Sequence, residues 1–295
     1  MKDLSVIIVS YNTKEITKKS INILIRSLQL SPKIRTEVIV IDNNSDDGSA
    51  EMLKQIKSPN IESRIILNGE NLGFAKANNE ALAVAEGKYV LFLNSDVLIQ
   101  DVNFEDLIYY MEKNPEVGVL TVRVRLPNGK VDMASHRGFP TVWSSFAYFT
   151  KLEAIFKKVP KLSKFLGGYH LTHLDLNTIH EIDSPSGAFY FTRKSVLNKA
   201  HGFDTKFFMY GEDLDLSFRI KKLGYKIVYY PLFTVIHLKY QSGFKKGIKK
   251  TKSKTKHHFY QAMKIFYDKH FSHKNGKFLN NLVHFFISIK EKVSK

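Results

Sequence analysis

The sequence contains no cysteine, and this absence excludes disulfide-stapled folds, cysteine-based zinc sites and thiol nucleophiles. It also contains no run of about 18 apolar residues, so no membrane-spanning helix is expected. No signal peptide is expected, because the chain runs from Met1 almost directly into the strand-like Ser5–Val9. These absences fit a reducing compartment and predict a cytoplasmic protein.

Acidic residues are scarce: 28 Asp and Glu stand against 45 Lys and Arg, giving a formal net charge of +17 at pH 7. Such a charge favours a polyanionic partner, namely a nucleic acid, an anionic membrane or a phosphorylated substrate. The excess is concentrated late, since residues 239–274 contain eleven lysines and one acid, Asp268. The basic region therefore lies apart from the segments that carry the catalytic pattern described below.

Short apolar runs alternate with helical patterns over the first 100 residues, which predicts an α/β fold. The central sheet should be mostly parallel, with helices on both faces. The predicted strands there are Leu4–Val9, Glu37–Asp42, Arg64–Leu67 and Tyr89–Leu93, and the helices are Lys14–Leu28, about Ser49–Ile56, and Ala75–Ala85. Later predictions are a helix from Glu105, strand Val117–Arg125, strand Ser186–Thr192, helix Gly211–Leu223, and strands Lys226–Tyr230 and Thr234–His237.

Residues 136–181 interrupt this rhythm, and we predict that they form a long insertion or lid. They contain Phe139, Trp143, Phe146, Tyr148, Phe149, Phe156, Phe165 and Tyr169 among lysines. Residues 244–295 are predicted to form a basic tail with two amphipathic helices, about His257–Phe271 and Lys277–Val293. The lysine cluster 245–256 with these helices is typical of an anionic membrane anchor, and a solvated basic face packed on the catalytic domain is the alternative.

Three carboxylates lie within four residues at a predicted helix start: Glu212, Asp213 and Asp215. Acids in a first turn interact favourably with the helix dipole. That effect does not explain three like charges among aromatic residues, where burial would make them costly. We therefore predict that this cluster has a chemical function.

Polar residues follow the ends of the first strands, and ligands of open α/β sheets bind beyond the carboxyl ends of strands. Asp96 can hold Mg²⁺ or Mn²⁺ there if substrate phosphates complete the coordination shell. Gly73 and Lys76 begin the next helix and offer free N–H groups and a positive charge to an anion. The strand-end residues are Tyr11, Asn12, Asp42, Asn44, Asn94 and Asp96.

Together these segments resemble the family 2 glycosyltransferases of GT-A fold, particularly the rhamnosyltransferase-like branch of cell-surface polysaccharide synthesis. The resemblance spans about residues 4–243 in the family's order. It is carried by VIIVSYN, VIVIDNNSDDGS, NLGFAKANNEAL, GKYVLFLNSDV, SGAFYFTRKSVL, GFDTKFFMYGEDLDLSFRIKKLGYKI and VIHLKYQSG.

The resemblance implies a Rossmann-like GT-A catalytic domain over residues 1–243, with a nucleotide-binding half of about 1–125 and an acceptor half of about 126–243. It implies an inverting, metal-dependent transfer from a nucleoside-diphosphate sugar to a hydroxyl of a glycan or a lipid-diphosphate-linked glycan. Thymidine diphosphate rhamnose is the first expectation for the donor, and uridine diphosphate hexoses remain open. The location would be the cytoplasm, peripheral at the inner face of the cell membrane.

The resemblance also assigns roles to residues. Asp213 matches the catalytic base, with Glu212 as a near competitor. Asp96 matches the last position of the metal-binding Asp-x-Asp motif, and His237 matches a histidine that completes the metal shell in relatives. Asp42 would contact the nucleotide base. The whole predicted nucleotide-sugar pocket comprises Tyr11, Asn12, Asp42, Asn44, Gly73, Lys76, Asn78, Asn94 and Asp96.

Two positions depart from the family pattern. Asn94 stands where the motif has its first carboxylate, and an amide bonds a ribose hydroxyl better than a cation. Tyr240, three residues after His237, stands where glycine is expected.

Three other classes of function compete with this interpretation. A nucleotidyltransferase would favour a glycine-rich loop with Arg and Lys after the first strand, where Val9-Ser10-Tyr11-Asn12 stands instead. The Gly-x-Gly-x-x-Gly of NAD-dependent oxidoreductases is absent there. A nucleic-acid-binding protein fits the charge but leaves the acidic cluster unexplained, because acids repel phosphate. We therefore expect no nucleic acid partner, while acceptor, linkage and oligomeric state stay open.

Overall fold

A computed structural model describes residues 2–56, 61–156, 159–239 and 249–293. Within these residues nine strands form one sheet in the order β3-β2-β1-β4-β8-β6-β9-β5, and β7 also pairs with β9. The strands are β1 (Lys2–Ser10), β2 (Thr36–Asp42), β3 (Glu62–Leu67), β4 (Gly87–Asn94), β5 (Val97–Leu98), β6 (Val117–Arg125), β7 (His180–Ile182), β8 (Phe189–Arg193) and β9 (Lys226–His237). The helices are α1 (Lys14–Gln29), α2 (Ser49–Lys54), α3 (Gly73–Val84), α4 (Phe104–Lys113), α5 (Val142–Phe149), α6 (Leu152–Phe156), α7 (Pro160–Leu166), α8 (Lys194–Ala200), α9 (Glu212–Lys222), α10 (Lys249–His270) and α11 (Lys277–Val293).

The first four strands of the chain form the predicted parallel half of the sheet. Strand β1 lies between β2 and β4, and Val6 pairs with Val38 on one side and Leu91 on the other. Strand β3 adds to the outer edge of β2 in the same direction. The polar residues that follow β1, β2 and β4 are thereby brought to one edge of the sheet.

Alternation along these strands divides the interior into two cores, because successive side chains of a strand point to opposite faces. Val6 and Leu91 belong to the core covered by α1, α2 and α4. Ile7 and Phe92 belong to the core covered by α3, α8 and α9. The sheet is thus covered by helices on both faces, which confirms the predicted α/β fold.

The second half of the sheet is mixed. Strand β8 runs antiparallel to both β4 and β6, and β6 runs parallel to β9. The two predicted strands after Lys226 are one strand, because β9 continues through a register irregularity after Tyr230. The prediction of a strand from Ser186 was wrong at its start: β8 begins at Phe189, and residues 186–188 belong to the turn of residues 184–188, which carries part of the candidate site.

The predicted insertion contains α5, α6 and α7, and its last two residues already belong to β7. The tail helix α10 packs on α9 through a separate apolar cluster of Phe207, Leu214, Ala262 and Phe266. Among the described residues no helix combines the length and apolarity needed to cross a bilayer. Tyr240 and residues 245–248 of the predicted lysine cluster lie outside the described residues.

Helix α3 begins where the backbone of Gly73 touches the loop before α9. Gly73 has φ +79°, and a Cβ on it would lie 2.4 Å from the carbonyl oxygen of Phe208. The N–H of Phe74 donates to that same oxygen over 2.7 Å. A side chain at residue 73 would therefore push apart two segments that border the candidate site.

We expect Gly73→Ala to reduce the free energy of unfolding by about 1–3 kcal/mol more than Gly129→Ala. Gly129 is a matched control, because it also has φ +79° but has no atom within 4 Å of the added Cβ. Both variants share the strain of an alanine at positive φ, so their difference reports the contact with Phe208. The measurement is denaturant unfolding of each variant. Equal losses of stability would mean that the loop moves away without cost.

Candidate functional site

The loops after β1 and β2 hold each other at the carboxyl edge of the sheet. Asn12 has a left-handed backbone with φ 54°. Its N–H donates to Ser45 Oγ over 2.9 Å, and its Oδ1 accepts from the N–H of Asp46 over 2.8 Å. Asn12 therefore has a structural function in joining the two loops, whatever it contributes to a ligand.

Asp42 ends β2 with its side chain nearly buried. Its Oδ2 accepts from the N–H of Ser45 over 3.0 Å, whereas its Oδ1 is buried without a hydrogen-bond partner in the described part of the chain. A buried carboxylate oxygen without a donor is costly, so a ligand that donates to it would recover that cost.

Asn43 was not predicted, and it joins the end of β2 to the start of α3. Its Nδ2 donates to Asn71 Oδ1 over 2.9 Å and to the carbonyl of Gly73 over 3.3 Å. Its Oδ1 accepts from the N–H of Leu72 over 3.1 Å. This buried amide thus sets the position of the helix start that we predicted as an anion site.

The remaining predicted pocket residues differ in their availability to a ligand. Lys76 is exposed, and Tyr11 is partly buried. Asn44 has a left-handed backbone with φ 66°. Asn78 is buried, and its Nδ2 donates within α3 to the carbonyl of Phe74 over 2.8 Å. Asn94 is partly buried at the end of β4.

Asp96 and His237, the two predicted metal ligands, are adjacent and buried. The Nε2 of His237 lies 3.3 Å from Asp96 Oδ1, and its Nδ1 lies 2.9 Å from Asp132 Oδ2. Asp132 in turn accepts from Lys239 Nζ over 2.8 Å. Burial opposes the charge of the imidazole, but the hydrogen bonds with Asp132 and Asp96 outweigh it and raise the pKa of His237 to about 9.

These residues fit a divalent cation in part. No group of three or more His, Asp or Glu side chains in the described ranges is arranged to hold a metal ion. However, Asp96 Oδ1 and His237 Nε2 lie 3.3 Å apart. Two neighbouring ligand atoms of one cation, each about 2.1 Å from it and at right angles to each other, lie at a similar separation of about 3 Å. A carboxylate on the other ring nitrogen, here Asp132, is also the usual support of a metal-binding histidine.

Asp213 stands in the first turn of α9 and is held by donors from two other segments. Its Oδ2 accepts from Arg137 Nη2 over 2.9 Å and from the N–H of Gly187 over 3.2 Å. The same Nη2 donates to the carbonyl of Pro185 over 3.0 Å. A guanidinium and a backbone amide on one oxygen fix the orientation of this carboxylate.

The segments that carry Asp96 and Asp213 both contact the turn of residues 184–188. Gly187 bonds Asp213, and the carbonyl of its neighbour Ala188 accepts from the N–H of Asn94 over 3.4 Å. A Cβ on Gly187 would lie 3.7 Å from Asn94 Oδ1. Asn94 is two residues before Asp96, so the end of β4 and the start of α9 face the same turn.

One short segment, residues 132–137, supports both positions. Asp132 bonds His237 at one end, and Arg137 bonds Asp213 at the other. Between them Ser135 Oγ shares a hydrogen bond of 2.8 Å with Ser186 Oγ. The segment therefore links the predicted metal pair, the turn and the predicted base.

The three acids at the start of α9 occupy three different environments. Burial and the neighbouring charge of Asp213 raise the pKa of Glu212, and its Oε2 is buried without a partner in the described residues. Burial opposes the charge of Asp215, but bonds from His270 and Arg219 outweigh it and lower its pKa to about 2. Asp215 accepts from His270 over 2.8 Å, so it anchors α10 to α9.

The sequence interpretation missed Arg137, Asp132 and Asn43. Arg137 fell inside the predicted insertion, 76 residues from its partner Asp213, and Asp132 is 105 residues from His237. No local pattern signals such pairs. The turn before β8, by contrast, lies within the SGAF segment that carried the resemblance.

Comparison with known proteins gives the family of this arrangement. The profile described as Glycosyl transferase family 2 matches residues 5–175. The chain is 28% identical over 227 residues to N-acetylglucosaminyl-diphospho-decaprenol L-rhamnosyltransferase of Mycobacterium tuberculosis, covering 73% of this chain and 71% of the relative. It is 29% identical over 239 residues to rhamnosyltransferase WbbL of Escherichia coli, covering 79% of this chain and 82% of the relative.

A solved structure supports the same fold. The mannosyltransferase PcManGT from Pyrobaculum calidifontis, in complex with GDP-Man and Mn²⁺, aligns with a TM-score of 0.57 and 16% sequence identity. The alignment covers 100% of this chain and 72% of that chain.

We expect Arg137→Met to reduce the free energy of unfolding by about 3–5 kcal/mol, because it leaves the buried Asp213 carboxylate without its cation. Arg26→Met is the matched control, since Arg26 is exposed on α1. Guanidinium chloride unfolding of both variants measures the difference. If the two variants lose the same stability, the Arg137–Asp213 contact does not stabilise the fold.

Proposed function

The chain belongs to glycosyl transferase family 2 and is a glycosyltransferase, and from this premise we propose that it transfers rhamnose from a nucleoside-diphosphate sugar with inversion. The proposed acceptor is a hydroxyl of a glycan, or of a lipid-diphosphate-linked glycan, in cell-surface polysaccharide synthesis. The two rhamnosyltransferase relatives support this choice of sugar, and the name of the mycobacterial one includes diphospho-decaprenol. Family membership decides against the nucleotidyltransferase and nucleic-acid-binding alternatives.

One observation carries the proposal: an Asp96–His237 pair and an Arg137-bound Asp213 flank the same turn, residues 184–188. A transfer from a sugar diphosphate needs one group to stabilise the leaving diphosphate and another to deprotonate the acceptor. The two carboxylates are separate, each with its own support, so they suit two different functions. A single base without a second carboxylate nucleophile leads to inversion.

Asp213 is proposed as the base. It accepts the proton of the acceptor hydroxyl, whose oxygen forms a bond to the anomeric carbon. The bond from that carbon to the diphosphate oxygen breaks, and its electron pair stays on the diphosphate. Arg137 orients this carboxylate through its hydrogen bond, whereas Glu212 is the weaker candidate because burial favours its protonated form.

Asp96 and His237 are proposed to hold Mg²⁺ or Mn²⁺, with Asp132 orienting the histidine. Such a cation would neutralise charge on the leaving diphosphate. The Mn²⁺ in the PcManGT structure supports cation use in a protein of this fold. Asn94, which replaces a carboxylate of the family motif, would serve the donor through its amide.

The nucleotide is proposed to bind along the loops after β1 and β2 and at the start of α3. The buried Oδ1 of Asp42 needs a donor, and an imide N–H of a thymine or uracil base would supply one. Tyr11, Asn12, Asn44, Gly73, Lys76 and Asn78 complete the proposed pocket. The catalytic domain is proposed to span residues 1–243, and the tail 244–295 to bring it to the inner face of the cell membrane.

We expect Asp213→Asn to lower kcat by about 10²- to 10⁴-fold, because the amide cannot accept the hydroxyl proton. Donor binding should remain, since the residue is proposed to act on the acceptor. Asp106→Asn, an exposed change on α4, is the control. A panel of nucleotide sugars with single-turnover assays measures transfer, and calorimetry measures binding. Full activity of Asp213→Asn would remove this residue from the reaction.

We expect Mn²⁺ with a nucleoside diphosphate to raise the Tm of the native protein and not that of Asp96→Asn, because an amide oxygen binds a divalent cation poorly. Chelation with EDTA should abolish the shift and the transfer together. The Asp106→Asn control should behave like the native protein. A metal-dependent shift of the same size in Asp96→Asn would exclude Asp96 as a ligand.

A further inference from the structure

Helix α11 exposes an apolar stripe that nothing in the described chain covers. The residues recur at helical spacing on one face, and Phe278 and Val293 at its two ends are 82% and 70% exposed. The opposite face packs on α10, where Ile287 is buried and Tyr267 donates to Asn280 Oδ1 over 2.6 Å. The exposed stripe comprises Phe278, Leu282, Phe285, Phe286, Ile289 and Val293.

A second exposed apolar area lies on α5–α7. The ring of Trp143 lies 5.7 Å from that of Phe146 and 5.0 Å from that of Phe165. Its Nε1–H donates to the carbonyl of Phe165 over 3.0 Å, which fixes the indole in place while it stays 44% exposed. Ile155 and Leu162 are exposed on the neighbouring helices.

The two areas touch each other. The Nζ of Lys290 on α11 lies 5.3 Å from the centroid of the Phe149 ring at the end of α5. We call the exposed apolar residues of α5–α7 and α11, together with the lysines among them, the aromatic–lysine surface. Six exposed apolar residues on one face of α11, beside an exposed and fixed tryptophan, are more than singly scattered surface apolar residues.

The charge on this surface has one sign. Within 142–156, 159–166 and 277–293 the acids are Glu153, which is buried, and Glu291, which is partly buried against α10. Glu153 is buried and accepts from the N–H of His170 over 2.8 Å. Glu291 faces α10, where it accepts from His257 over 2.8 Å. The exposed lysines are Lys151, Lys161, Lys164, Lys277, Lys290 and Lys292.

We propose that the aromatic–lysine surface binds the interface of an anionic lipid bilayer, with the rings at headgroup depth and the lysines on the lipid phosphates. Exposed rings, a tryptophan and cations without exposed acids are the combination that such an interface stabilises. A protein partner of matching shape would leave the uniform positive charge unexplained. The surface extends the membrane contact beyond the tail to residues 142–156 and 159–166, and it does not require Lys245 or Lys246.

The surface is tied directly to the candidate site. The N–H of Gly138 donates to the carbonyl of Tyr169 over 2.8 Å, which closes the segment that carries α5–α7. Gly138 follows Arg137, the partner of Asp213. Membrane contact through α5–α7 thus holds the proposed base near the lipid headgroups, where a lipid-linked hydroxyl would arrive. That consequence rests on the proposed function, whereas the membrane binding does not.

The experiment uses the full chain and its single tryptophan, Trp143, as the reporter. Vesicles of equimolar phosphatidylcholine and phosphatidylglycerol should shift its emission to shorter wavelength, and brominated lipids should quench it. Flotation measures partitioning. Phe278→Ser/Phe285→Ser/Phe286→Ser should reduce partitioning about tenfold or more. The control is Leu30→Ser/Tyr109→Ser, which removes exposed apolar residues elsewhere and should bind as the native chain does.

Three results would overturn the proposal. The first is native protein that does not bind these vesicles. The second is binding that the triple Phe variant retains while brominated lipids leave Trp143 unquenched, because the contact would then be the basic tail alone. The third is a concentration-dependent blue shift without lipid, which would mean that a second copy of the chain covers the surface. Transfer to a water-soluble glycan acceptor, measured in parallel, reports the proposed function separately.

Discussion

Carboxylates buried at the end of the central sheet constrain the structure around them, because an ionised carboxylate away from water must have a compensating partner. Asp96, Asp132, Asp213 and Asp215 are each buried, and each is within reach of a cationic side chain. Glu212 has no such bond within the described residues, and burial together with the charge of Asp213 raises its pKa, so that its neutral form is favoured. These partners include His237 on β9, Arg137 in the segment 132–137 and His270 on α10, so the buried carboxylates constrain where these three parts of the chain lie.

The fold was predictable where a pattern is local. Apolar runs bounded by polar residues located the first four strands within two residues of their ends. The signal is continuous for β1, β2 and β4 because these strands are largely buried on both faces. The later strands were less predictable. Pro231 interrupts the apolar pattern after Tyr230, so the sequence predicted two strands where β9 is one strand with a shift in register. Roles of the site residues remain predictions, but the adjacency of Asp96 and His237 was anticipated.

The acidic cluster at the start of α9 shows what local patterns omit. As a sequence, Glu212, Asp213 and Asp215 are three similar acids in one turn. In the structure their surroundings come from distant segments: Arg137 reaches Asp213, and His270 reaches Asp215. A helical turn points neighbouring side chains in different directions, so each meets a different part of the chain. Only the tertiary contacts distinguish Asp213, the predicted base, from Asp215, which anchors a helix.

The spacing of these contacts along the chain has a consequence for biosynthesis. Strands β1 to β4 pair within residues 2–94, so that half of the sheet can assemble as soon as it leaves the ribosome. Asp132 must wait for His237, which is made 105 residues later. The end of the sheet around Asp96 and Asp132 is therefore completed last, and a nascent chain that stops before β9 holds these two carboxylates without His237 and Lys239, their cationic partners.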